Sequence, residues 1–489
     1  MRKKLFLLPA LLLNFWVSSM YAQSEQPNIL FIAVDDFRSE IDPETKAFIQ
    51  TPNLDRLAAQ AYTFNHHYVQ VPTCGASRFA LLTGMRPSVS GHLSNSAIAD
   101  NMIGKPEEER PESFVHHLRR NDYYTVGIGK MSHSADGYWY GYTEPVSEQR
   151  EMPHSWNELL FDYGKWGTGW NAFFGYADGS NRQGMNRQVK PYEKGEVEDE
   201  GYPDGLTAGL AVDKIKELKD KDQPFFMGVG FFKPHLPFTA PQKYWDMYER
   251  DEIPLSPVSH IPEHVNLKSL HGSGEFNGYH LNDEEAGLDH AVSDEYARKL
   301  RHAYFASISY SDALIGKVLD ELERLGLAEN TIVVVWGDHG WHLGDQLVWG
   351  KHTLFEQALK STLMIKVPGM EGNAAVNTVV ETVDIYPTLM ELSDIEPAYP
   401  TDGESLMPLL REPAQGSNEL AYSYFRRGAT VRNARYRLTK YFREEEPLIE
   451  LFDHVNDPYE SENIAESHPE IVEELMPLLQ KEYNGFYQQ

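Results

Sequence analysis

Four short apolar runs punctuate the chain, with helical patterns between them. They are Asn28-Ile-Leu-Phe-Ile-Ala-Val34, Tyr123-Tyr-Thr-Val-Gly-Ile-Gly129, Phe225-Phe-Met-Gly-Val-Gly-Phe-Phe232 and Thr331-Ile-Val-Val-Val-Trp336. Unbroken apolar runs of this length fit parallel strands covered by helices on both faces. Between the last two, apolar residues at Tyr304, Phe305, Ile308, Leu314, Ile315, Val318, Leu319, Leu322 and Leu325 keep helical spacing, and Gly326 follows as a stop. This alternation predicts an α/β sandwich. The pattern dissolves over Gly137–Gly184, a Gly-, Asn- and aromatic-rich insertion carrying Trp139, Trp156, Trp166 and Trp170. The acidic stretches Glu193–Glu200 and Asp283–Glu285 read as surface loops. Past Leu410 the character changes. Tyr422–Phe425, Ala429–Val431 and Tyr436–Tyr441 read as antiparallel strands, and a terminal helix is expected from Pro469 to about Tyr483. The expected organisation is a leader over 1–22, a catalytic α/β domain over 23–410, and a small α+β subdomain over 411–489.

The polar residues that close each apolar run carry the chemistry. Asp35-Asp36 follows the first, Lys130-Met-Ser-His133 the second, Lys233-Pro-His235 the third and Asp338-His339 the fourth. Functional groups of an open α/β sheet gather beyond the carboxyl ends of its strands, so these four ends are expected to share one edge. Taken singly, Asp-Asp also reads as a turn or helix cap, Asp-His as a structural pair and Lys-Pro-His as a surface turn. Asp35, Asp36, Asp338 and His339 can bind a divalent cation; the oxygen-rich set favours Ca²⁺ or Mg²⁺, and the histidine leaves Mn²⁺ or Zn²⁺ open. Lys130, Lys351 and Arg78 supply positive charge suited to an anionic ester. His133 and His235 can exchange protons near neutral pH.

Composition narrows the setting. The formal charge of −29 excludes nucleic acid as an expected partner and means that an anionic substrate must be met by local positive charge. Residues 1–22 pair a basic start with a broken apolar run ending near Ala22, the pattern of a secretory signal peptide. With no later apolar segment long enough to span a bilayer, a periplasmic or secreted protein is expected. Such a protein has little use for an unpaired thiol, yet the chain holds one cysteine, Cys74. Ala76–Leu82 reads as a helix opening just after it, where the helix dipole favours an anion, and Arg78 lies one turn on. A buried, inert cysteine is the alternative.

Cys74-Gly-Ala-Ser-Arg78, followed by Leu82-Thr-Gly84 and Arg86-Pro87, resembles the signature of the type I sulfatases. The resemblance extends over most of the chain, to the iduronate-2-sulfatase branch. It is carried by Val34–Arg38, Gly129–His133, Gly230–Phe238, Asp338–Gly344 and Leu451–Pro458 with Asn463. One position departs: Ala76 stands where proline is common, and the resemblance extends to the alanine form as a variant of the family. The resemblance implies a large mixed, mainly parallel sheet between helices, of the alkaline-phosphatase-like superfold. It implies that a maturase oxidises Cys74 to Cα-formylglycine, whose hydrated gem-diol attacks sulfur. It further implies Ca²⁺ held by Asp35, Asp36, Asp338, His339 and the residue at Cys74, with Arg78 steadying the cluster. Lys130 and Lys351 would bind sulfate oxygens, His235 would protonate the departing sugar oxygen, and His133 would deprotonate the remaining hydroxyl.

Substrates of this branch lean towards 2-O-sulfates on uronic acids of sulfated polysaccharides; ulvan-, carrageenan- and glycosaminoglycan-like oligosaccharides all fit. Arg38, His92, Trp341 and His342 sit beside the motifs as candidates for the sugar subsite, each with simple packing as its alternative. Two rival readings stand beside the sulfatase: a phosphate or phosphonate monoesterase of the same superfold, and a non-catalytic glycan-binding protein.

Overall fold

The first apolar run alternates between two cores, and the architecture follows from that. Leu30, Ile32 and Val34 pack on one side with Ala208, Ile215, Tyr304 and Leu314. Ile29, Phe31 and Ala33 pack on the other with Phe79, Leu82 and Phe114. A strand's side chains point alternately to opposite faces, so only a strand sandwiched by helices can be apolar throughout. Each fully buried large aliphatic or aromatic side chain contributes about 1.5–3 kcal/mol.

The computed structural model describes residues 26–87, 91–414, 419–444 and 446–483; the proposed leader lies outside them. An eight-stranded sheet is built from β1 (Asn28–Val34), β2 (Tyr62–Tyr68), β3 (Tyr124–Gly129), β4 (Glu158–Leu160), β6 (Phe225–Phe231), β8 (Thr331–Gly337), β11 (Leu363–Lys366) and β12 (Ala374–Glu381). Its order is β12-β2-β11-β8-β1-β6-β3-β4. β8, β1, β6, β3 and β4 run parallel, β11 is antiparallel to both neighbours, and β12 is parallel to β2. The sheet is therefore mixed and mainly parallel. The four runs read from the sequence are its adjacent central strands, β3, β6, β1 and β8.

One flanking helix, Asp294–Arg324, begins ten residues before the expected start. Ser293 caps it, accepting from the Tyr296 N–H, and Asp294 and Glu295 lie in its first turn. Two short ribbons lie outside the sheet: β5 (Tyr192–Gly195) with β7 (Phe238–Pro241), and β9 (His342–Leu343) with β10 (Trp349–Gly350). β5 overlaps the acidic stretch Glu193–Glu200, expected to be loop. The C-terminal sheet is antiparallel, β13 (Ala421–Tyr424), β14 (Gly428–Arg432), β15 (Tyr436–Tyr441) and β16 (Leu448–Asp453), packed by the Pro469–Tyr483 helix through Leu475 and Leu479. No helix of the described residues is long and apolar enough to cross a membrane.

Candidate active site

The carboxyl ends of the four central strands deliver their polar residues to one place. Asp35 and Asp36 leave β1, Lys130 leaves β3, Asp338 and His339 leave β8, and His235 follows β6. Asp36 holds a left-handed backbone (φ 56°), a conformation non-glycine residues seldom adopt. Its N–H donates to Asp338 Oδ1 at 2.9 Å, and its carbonyl accepts from the Tyr304 hydroxyl at 2.7 Å.

Cys74 opens a helix, Cys74–Thr83, whose every residue is buried. Gly75 lies so close to Asn95 that an added Cβ would meet its carbonyl oxygen at 2.3 Å, and the Gly75 N–H donates to Asn95 Oδ1 at 3.0 Å. One turn on, Arg78 spans two carboxylates: Nε donates to Asp338 Oδ2 at 3.0 Å and Nη2 to Asp35 Oδ1 at 3.2 Å. Lys130 Nζ meets Asp35 Oδ1 at 2.7 Å. Lys351, placed by the β9–β10 ribbon, reaches Asp36 Oδ1 at 2.9 Å and Cys74 Sγ at 3.5 Å. His339 Nε2 lies 3.2 Å from the same sulfur and 3.4 Å from Asp36 Oδ1.

Burial sets the protonation of this cluster. It pushes the Cys74 thiol up to about 12, reinforced by Asp35 and only partly offset by Lys130 and Lys351. As a thiol, Cys74 is therefore a poor nucleophile. Burial opposes ionisation of Asp35, yet Lys130 and Arg78 hold it well below the usual carboxylate range. Burial and Lys351 push His235 down to about 4, against the pull of Glu275. Burial and Lys130 likewise keep His133 well below the ordinary imidazole value. His133 packs on Trp170 (ring centroids 5.4 Å) with its Nδ1 buried and without a hydrogen-bond partner among the described residues.

The donor set fits a divalent cation. One ligand atom from each of Asp35, Asp36, Cys74 and His235 falls within 4.8 Å of the others, as do those of Cys74, Asp338 and His339. Asp35 Oδ2 is buried without a hydrogen-bond partner among the described residues, an arrangement that costs free energy unless a further group meets it.

Other candidates fall elsewhere. Arg38 is buried in ion pairs with Asp345 (2.5 Å) and Glu40 (2.8 Å), so it braces the scaffold instead of facing a sugar. His342 is buried between the Asp345 carbonyl and the Thr353 hydroxyl, 2.7 Å from the latter. Trp341 is buried beneath Lys351, whose Nζ lies 5.3 Å from its ring centre. His92 packs edge-on against Phe79. Lys233, at the end of β6, donates to the carbonyls of His235 and Pro237 and so holds the loop, not the cluster. Of the four tryptophans in the insertion, Trp156, Trp166 and Trp170 are buried and Trp139 is exposed. Conversely, the sequence offered no signal for Glu275. It contacts His235 Nε2 at 3.2 Å and Lys351 Nζ at 3.5 Å from the first turn of a four-residue helix, Gly274–Asn277, which follows no apolar run.

Comparison with known proteins places the chain in a family. The sulfatase family profile matches residues 27–395, and that of the N-sulphoglucosamine sulphohydrolase C-terminal region matches 337–485. A sulfatase of Formosa agariphila is 30% identical, over 93% of this chain and 87% of its own. A choline-sulfatase of Rhizobium meliloti is 30% identical over 90% and 83%. The iduronate 2-sulfatase of Mus musculus is 27% identical over 75% and 69%. Among solved structures, a phosphonate monoester hydrolase from Silicibacter pomeroyi superposes with a TM-score of 0.72 at 22% identity, covering 93% of this chain and 95% of its own. A 2-O glycosaminoglycan sulfatase superposes at 0.67 and 20% identity, covering 95% and 94%. The fold is that of the alkaline-phosphatase-like enzymes, and the chain belongs to the sulfatase family of sulfuric ester hydrolases.

Proposed function

We propose that this sulfatase removes sulfate from a sulfated oligosaccharide or polysaccharide, at the 2-O position of a uronic acid or related sugar. One observation carries the reading: Arg78, Lys130, Lys351 and His235 converge with three carboxylates around the buried Cys74. The likeness to iduronate 2-sulfatase supports the choice of sugar. The basic and apolar leader supports action in the periplasm or outside the cell.

Formylglycine made from Cys74 by a maturase would supply the attacking oxygen. A Ca²⁺ ion held by Asp35, Asp36, Asp338 and His339 would polarise the sulfate. The remaining work falls to side chains already in place. Arg78 fixes Asp35 and Asp338 in register. Lys130 and Lys351 neutralise sulfate oxygens as charge shifts towards the departing group. His235 donates a proton to the sugar oxygen as the sulfur–oxygen bond breaks; the negative charge of a bound sulfate counters Lys351 and restores the proton that burial disfavours. His133, neutral and with no partner for Nδ1 among the described residues, accepts the proton whose loss lets sulfate depart.

The test is a panel of defined sulfated saccharides, offered to the mature enzyme beside an aryl sulfate and an aryl phosphate. Sulfate release from a 2-O-sulfated uronate is expected. Turnover of the phosphate with no sulfate released from any compound would overturn the reading in favour of a phosphomonoesterase. Glycan binding without turnover of any ester would favour a non-catalytic role.

A further inference from the structure

A cleft of about 770 Å³ opens directly from the site, with Lys351 and Glu275 in its wall. Beyond them it is lined by Lys268, His271, His352, Arg426 and Arg443, with Phe425 as an aromatic floor. Four permanently cationic side chains thus face one carboxylate, in a protein whose formal charge is −29. Such a reversal of local field is costly to maintain unless an anion repays it.

The tip of the β13–β14 hairpin sharpens the point. Phe425 and Gly428 exchange backbone hydrogen bonds at 3.0 and 2.8 Å around a two-residue turn. Both turn residues, Arg426 (φ 39°) and Arg427 (φ 57°), are left-handed. Turns of this kind strongly favour Asn-Gly, and a strained pair of arginines instead points to a use for the side chains. Arg443 pins the turn: Nε donates to the Arg426 carbonyl at 2.8 Å and Nη2 to that of Phe425 at 3.3 Å, while Nη1 reaches the Lys268 carbonyl. The Arg426 guanidinium lies 5.2 Å from the Phe425 ring centre, and His352 stacks on that ring at 5.3 Å. No carboxylate among the described residues forms an ion pair with Arg426, whereas Lys268 is engaged with Glu444.

We infer that this cleft binds a second anionic group of the substrate, a carboxylate or a further sulfate on the same or the neighbouring sugar, with Arg426 as its principal ligand. The inference rests on the sulfatase reading and deepens it. It also selects among substrates, because the cationic end of a choline-type ester would be repelled here.

Kinetics of Arg426→Ala should be compared on an aryl sulfate with no other charge and on a 2-O-sulfated uronate disaccharide bearing a second sulfate. Expected is a KM about tenfold higher or more on the disaccharide, the loss of one charge-assisted hydrogen bond, with aryl sulfate kinetics unchanged. Arg426→Lys should recover part of that loss. Disaccharides lacking the second sulfate, or with the carboxyl methyl-esterified, identify which anion is held: the effect disappears for the compound missing it. An unchanged KM on the disaccharide, or an equal rise on both substrates, overturns the inference. Should the wild type release no sulfate from the disaccharide, the choice of a 2-O-sulfated uronate fails separately. Binding of the disaccharide to Cys74→Ala protein, with and without Arg426→Ala, then decides on the cleft: weaker binding upholds it, equal binding ends it.

Discussion

Arg78 has no exposed surface, and its planar fork is matched to two carboxylates at once. Removing it leaves Asp35 with Lys130 alone and strips Asp338 of its guanidinium in a dry site. Breaking a buried pair costs about 3–5 kcal/mol, so Arg78→Ala is expected to lose that much in denaturant unfolding, and Arg78→Lys to recover little of it. Cys74→Ala is the informative contrast one helical turn away. It removes one buried sulfur, so the fold should persist by circular dichroism while sulfate release is abolished; release at the wild-type rate would sink the mechanism. Mass analysis of the peptide carrying Cys74 would show whether a chain with Ala76 is converted. At this scale the sequence was most readable where residues follow an apolar run, as at Asp35, Asp36 and Asp338. It misled where a motif's neighbours turned inward: Arg38 and His342 satisfy buried partners, and only the fold reveals those partners.

Among elements, legibility tracked burial. β1, β3, β6 and β8 are central and buried on both faces, so each is a continuous apolar word. β2, written Tyr-Thr-Phe-Asn-His-His-Tyr, and β12, with Asn377 exposed, lie towards one edge and carry polar residues that hid them. β4 is a three-residue edge strand inside the aromatic insertion, too short to read. β16 was missed because its apolar residues run straight into a conspicuous motif, Leu451–Pro458. That strand carries Glu450, raised from 4.5 to about 7, mainly by burial. Its neutral form is the one the fold prefers. Its contribution is therefore full below pH 4.5 and lost as pH rises to about 7, because the folded state holds a proton that the unfolded chain has released. Glu450→Gln should flatten the fall in thermal midpoint across that window; an unchanged pH profile would refute the assignment. The same sheet is tied to the helix Glu356–Leu359 through Arg437, which is buried against Glu460 (2.7 Å) and Glu356. With His454, these two glutamates also have the spacing of a metal site, but Arg437 already supplies their positive charge.

At the scale of the molecule, three carboxylates are gathered at one sheet edge of a strongly acidic protein. A divalent cation that binds only the folded form adds stability by mass action, about 2.7 kcal/mol at a hundredfold excess over Kd. Chelation is therefore expected to lower the thermal midpoint and to stop sulfate release together, and added Ca²⁺ to restore both. Chelation without effect on either would remove the cation from the proposal. The two halves of the chain also share the work: strand ends of the large sheet hold the reacting centre, while the hairpin at Arg426 forms a wall of the cleft beyond it.

The helix that starts at Cys74 is buried along its whole length, and Gly75 is pressed against Asn95. Packed in this way, the segment offers a modifying enzyme no extended backbone to bind. For the proposed maturation this sets an order in time: the oxidation of Cys74 would have to come while the chain is still open, and a molecule that folded first would keep its thiol. Folded, unmodified protein should therefore stay inactive when a maturase is added later, and should become a substrate for it only after unfolding.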